Sequence, residues 1–96
     1  MAKPPRVEVS KQELDELFQA LGIWVKIFDR RLSAESIPSK SAPSWRFDGG
    51  ISEFIRHRNP LRLQVATTHR ITTPDGGIPH WHAKDIHLSG VVIWAR

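Results

Sequence analysis

Ser10-Lys11-Gln12-Glu13 is the stretch that most constrains the start of the fold. A serine N-cap followed three residues later by glutamate can satisfy two first-turn amides reciprocally, and Val9 can staple onto Leu14. Leu14, Leu17, Phe18 and Leu21 then recur on one helical face, and Gly22 supplies a left-handed stop. The spacing predicts a helix over residues 11–21. Residues 1–8, with paired prolines and alternating charge, read as a mobile tail, leaving 9–96 as one compact domain.

The chain beyond Gly22 reads mostly as sheet. Ile23–Phe28 is rich in β-branched and aromatic residues and is expected as a strand. Residues 32–43 carry serines and alanines around two prolines, a loop composition, and residues 45–47 fit a short strand. Asp48-Gly49-Gly50 turns into a brief expected helix with Ile51, Phe54 and Ile55 on its buried face, closed by Asn59-Pro60. Residues 61–68 alternate cleanly and predict a half-buried strand. Thr73-Pro74-Asp75-Gly76-Gly77 is a turn, and Val91–Trp94 a buried strand. The expected class is α+β: an N-terminal helix, a mostly antiparallel sheet of about four strands, and a second short helix packed on it.

Composition narrows the function classes. Without cysteine there is no disulfide framework and no thiolate zinc site. No apolar run approaches eighteen residues, and no hydrophobic stretch follows the N-terminal charges, so neither a membrane span nor a secretory signal is expected. A cytoplasmic location is the expectation. The formal net charge is +4, and its distribution matters more than its size. Residues 1–48 hold eight basic and seven acidic side chains, whereas residues 49–96 hold six and three, together with all five histidines. Nucleic acid is the first expected partner. Arg56, Arg58, Arg62 and Arg70 are the candidate phosphate contacts, with Lys84 beside them. Trp81 is the candidate for base stacking, against the simpler reading of core packing. Trp24, Trp45 and Trp94 are assigned to the core.

The densest chemistry lies in His80-Trp81-His82-Ala83-Lys84-Asp85-Ile86-His87. A His-x-His pair on a strand projects two imidazoles to one side, close enough to share a metal. His80 and His82, with Asp85, are the expected ligands of a divalent metal, the one cofactor the sequence suggests, and His87 or His69 are alternative completions. On an unbroken strand, however, Asp85 and His87 point away from His80 and His82. As a helix the segment would instead group His80, Lys84 and His87. Metal-free chemistry is the other option. His69, His80, His82 and His87 offer bases and acids for cleaving RNA, with Arg70 or Lys84 beside the phosphate.

Two resemblances accompany these residues. His-x-His-x-x-Asp-x-His distantly resembles the His-x-His-x-Asp-His motif of metallo-β-lactamase-type hydrolases, with Asp85 and His87 each displaced and the chain far shorter than that fold. Leu21-Gly22-Ile23-Trp24-Val25, Asp29-Arg30 and the stretch Phe47-Asp48-Gly49-Gly50-Ile51-Ser52-Glu53-Phe54-Ile55 resemble part of the ATPase subunit of type II topoisomerases. That likeness omits the family's nucleotide-binding motifs, so no function follows from it. The sequence thus leads to a small nucleic-acid-binding module. A nuclease or metal-dependent hydrolase centred on His80, His82 and His87 is one alternative, and a protein-binding adaptor or inhibitor another. The arrangement of the five histidines in space separates these classes.

Overall fold

The structure is a computed structural model that describes residues 3–41 and 49–96. Its first helix, α1 (Lys11–Ala20), starts where the sequence places it. Ser10 Oγ accepts from the Glu13 amide at 3.0 Å, and Glu13 Oε1 accepts from the Ser10 amide at 3.2 Å. Leu14 and Phe18 are fully buried, each worth about 1.5–3 kcal/mol of transfer free energy. Gly22 follows at φ +65°, a conformation that a β-carbon would strain.

Ile23–Phe28 forms a second helix, α2, where a strand was expected. Its six residues fit both periods, and the packing decides between them. Ile23 and Ile27, four apart, both reach the core, while Trp24 and Phe28, also four apart, stack at 5.9 Å. A strand would have put Ile23, Val25 and Ile27 on one face, yet Val25 is exposed.

The remaining elements make a sheet of six strands, where four were expected. In chain order these are β1 (Arg6–Glu8), β2 (Ser33–Ser41), β3 (Ile51–Arg58), β4 (Gln64–Thr72), β5 (His80–Leu88) and β6 (Val91–Trp94). Their spatial order is β1-β6-β5-β4-β3-β2. All neighbours are antiparallel except β1, which lies parallel to β6. The class is α+β. Arg6–Glu8, assigned to the tail, is therefore part of the sheet. The expected loop is β2, an edge strand, which is where a strand tolerates Pro38. The expected second helix is β3. Ile51, Phe54 and Ile55 mimic helical spacing, while the buried member that completes the alternation with Ile55 is polar, His57. The expected strand at residues 45–47, Asp48 of the expected turn and Trp45 lie outside the described residues.

Both helices cover one face of the sheet. Leu14, Phe18 and Ile23 pack there in one cluster with Ala66, Ala83 and Ile86, and the two alanines let helical side chains approach closely. Among the described residues no helix is long and apolar enough to cross a membrane. The opposite face of β3, β4 and β5 carries the candidate chemistry.

Candidate metal centre on the open sheet face

Antiparallel register fixes which side chains share a row. Ser52, Ile71 and His80 are successive cross-strand partners on β3, β4 and β5, and so are Phe54, His69 and His82. Directly opposed residues project to the same side, and His80 and His82 are two apart on β5, so the three histidines meet on the face away from the helices. Their candidate ligand nitrogens all lie within 4.8 Å of one another. The ring centroids are 4.3 Å apart for His80 and His82, 5.2 Å for His69 and His82, and 5.9 Å for His69 and His80. Tetrahedral zinc with bonds of about 2.0–2.1 Å would draw such nitrogens to about 3.3 Å, within reach of modest side-chain rotations.

The surroundings prepare these rings as ligands. Burial, with the charges of His80 and Lys84 adding, pushes His82 down to about 4. Burial, then Lys84 and His80, also lowers His69. Both rings are therefore neutral at pH 7 and keep a lone pair for a metal. Ser52 Oγ lies 2.6 Å from His69 Nε2 and fixes that ring, an outer-shell contact of the kind that orients metal-bound imidazoles. His82 Nδ1 is buried with no hydrogen-bond partner among the described residues, and a ligand could satisfy it. His80 is exposed and leaves the cluster open to solvent.

Asp85 and His87 belong to the same face but to another site. A β-bulge puts them there: Thr68 pairs with Ala83 and Thr67 with Asp85, leaving Lys84 as the extra residue. The inserted residue reverses the parity of everything after it, which corrects the expectation that Asp85 and His87 point away. Of the expected ligands His80, His82 and Asp85, the two histidines converge, and His69 rather than Asp85 joins them. Asp85 Oδ1 instead lies 3.4 Å from His87 Nε2, without a hydrogen bond among the described residues. Both line a cavity of about 390 Å³ together with Arg6, Arg56, Gln64 and Thr67. Phe54, whose ring lies 5.0 Å from that of His69, also lines it and forms the wall between cavity and histidines. One two-residue step along the strands, about 7 Å, separates the two rows.

The expected phosphate contacts do not form one patch. Arg56 and Arg58 both reach Glu35, at 3.6 and 3.1 Å, and only Arg56 lines the cavity. Arg70 faces the helical side, gripped by Glu53 at 2.7 and 2.9 Å. A hydrogen bond from Ser36, opposed by burial and helped by Arg70, holds the Glu53 carboxyl below its usual value. Arg62 sits in the β3–β4 turn at φ +65°. Alternation along the strands sends these cations to different sides, and two glutamates neutralise three of them. Trp81 is half-buried on the helical side of the sheet, with the Arg70 guanidinium 5.1 Å from its ring. It meets Trp24 and Phe28 edge-on at 5.5 and 5.4 Å, and its Nε1 donates to Thr68 Oγ1 at 3.0 Å. Lys84 is half-buried at the bulge, where its charge acts on His69 and His82.

Sequence reasoning missed Arg6, Ser52 and Gln64. Arg6 arrives through a three-residue parallel strand, too short to announce itself, and its guanidinium rests 5.4 Å from the Trp94 ring. Ser52 could have been found by registering β3 against β4, but only once residues 51–58 are read as a strand. Comparison with protein-family models, curated proteins and solved structures finds no match to this chain, so neither sequence resemblance carries a family assignment.

Proposed function

We propose that this protein is a metal-dependent hydrolase of phosphodiesters, with a divalent transition metal held by His69, His80 and His82. The observation that supports this reading is the convergence of three imidazoles from two adjacent strands within 4.8 Å. Three histidines with an exposed side fit a catalytic zinc-type site, which keeps its fourth position for water. A metal bound there supplies a nucleophile at neutral pH by lowering the pKa of that water.

The chain's own groups have distinct roles in this scheme. Ser52 orients His69, and Lys84 keeps the local field positive. Arg6 and Arg56, next along the face, hold phosphate oxygens, and a nucleic-acid strand laid across the sheet is the substrate that the net charge of +4 favours. His87, steadied by Asp85, is the group to deliver a proton to the leaving oxygen. The metal-free ribonuclease scheme fits less well, because it leaves the convergence of His69, His80 and His82 without a role.

Hydrolysis of an activated phosphodiester and of labelled DNA and RNA oligonucleotides, with and without chelator, tests the reading. Expected is activity with zinc or manganese, loss with chelator, recovery on metal addition, and loss in His82→Ala. Activity that survives chelator, or no hydrolysis with any divalent metal, rejects it.

A further inference from the structure

We propose that the groove between the α2–β2 and β3–β4 turns docks an acidic segment of a partner protein that carries apolar anchors. The groove holds about 530 Å³ and is lined by Lys26, Arg30, Arg31, Leu32, Pro60 and Val65. It shares no residue with the histidine site.

Three independent features point to a protein ligand. The first is charge. Residues 26–32 and 59–65 contain four cations and a single acid, Asp29, which reaches only Arg31, at 3.9 Å. Among the described residues, Lys26, Arg30 and Arg62 form no ion pair, so the groove presents uncompensated positive charge to whatever enters it.

The second feature is apolar exposure on a rigid support. Leu61 and Leu63 are 80% and 61% exposed at the β3–β4 turn. They are held there by Asn59, whose Oδ1 accepts from the amides of Leu61 and Leu63 at 2.9 and 3.0 Å. Two leucines fixed in water beside an apolar groove mark an interaction surface better than scattered exposed residues do.

The third is backbone strain. Arg30 and Arg62, one in each turn, sit at φ +60° and +65°, where glycine or asparagine fits and a long side chain is disfavoured. Strain retained by two arginines flanking the same groove signals use of their side chains. The lining offers no aromatic ring to stack a base, and the rim is aliphatic, so carboxylates with aliphatic anchors match it better than a nucleic acid does.

The test is a selection of random displayed peptides of about twelve residues on the full-length chain, followed by affinity measurement on the synthesised winner. Expected winners combine Asp or Glu with Leu, Ile or Phe, and their binding weakens with salt. Arg30→Gly/Arg62→Gly should weaken binding about tenfold or more while the melting temperature stays equal or rises, because glycine relieves both turns. His82→Ala should bind the peptide as the parent does, which separates this proposal from the metal site. The proposal is overturned by winners without acidic residues, by undiminished binding in the double glycine variant, or by no enrichment at all. An oligothymidylate of similar length that displaces the peptide at lower concentration overturns it in favour of nucleic acid.

Discussion

His69 and His82 are direct cross-strand partners on β4 and β5, with ring centroids 5.2 Å apart. Sheet register therefore does for them what sequence proximity does for His80 and His82. It places a third imidazole beside a His-x-His pair without any loop having to be ordered, and sites built on strands hold their geometry better than sites built on loops.

Ser52 is the hydroxyl that steadies this arrangement, at 2.6 Å from His69 Nε2. Ser52→Ala should leave the three rings in place and weaken metal affinity by about 10–100-fold, the usual effect of removing an outer-shell partner. Competition against a chromophoric chelator measures it. Unchanged affinity would mean that the His69 ring needs no such support.

Nucleic-acid binding should follow the face on which an arginine lies, and not its position in the sequence. Replacing Arg6 and Arg56 should shrink the salt slope of oligonucleotide binding by about two. Replacing Arg58 and Arg70, which do not line the cavity, should change it little. Equal effects from the two pairs would contradict the placement of the polyanion on the open face.

The fold was legible where one local pattern had one reading. The Ser10–Glu13 capping box and the apolar face of α1 had no competitor, whereas the alternation through residues 61–68 found β4 but not its bounds or its buried face: Leu61 and Leu63 are exposed in the turn before it, and Ala66 and Thr68 are the buried members. Ile23–Phe28 and Ile51–Arg58 were misread because each is too short for its period to be distinguished. In β3 the buried residue two after Ile55 is also polar, His57. Two of the three candidate ligands, His80 and His82, were visible as a pair. His69 stood only among alternative completions, because its contribution depends on a register set by the whole β4–β5 pair. The side to which Asp85 and His87 point was hidden in a bulge at Lys84 that no local signal marks.

Stability should fall as the solution is acidified below neutrality. Burial, above all, holds the imidazoles of His57, His69 and His82 below their ordinary value, with neighbouring positive charges adding to it. The unfolded chain then takes up protons first as pH drops below about 6.5, so this contribution to stability is full above that value and is lost as pH falls through the folded-state values, about 4 for His82. Urea midpoints measured from pH 7.5 to 5 check this. His57→Gln should flatten the dependence, since His57 is fully buried against Thr68 Oγ1 at 2.8 Å.

The N-terminal cap gives a separate check on the helical layer. Ser10→Ala removes the acceptor for the Glu13 amide and should cost about 1 kcal/mol, a fall of about 4–8 °C in melting temperature for a domain of this size. Thermal denaturation followed by circular dichroism reads it. No change would mean that α1 does not depend on this cap.

Cobalt(II) titration of the metal-free chain, followed by visible absorption, tests the histidine centre most directly. The account predicts one bound ion per chain with the intense bands of four- or five-coordinate cobalt, displaced by zinc. Binding should be lost in folded His69→Ala and His82→Ala proteins and retained in His87→Ala. Absence of binding by the parent, or equal binding by the His69→Ala and His82→Ala proteins, would contradict it.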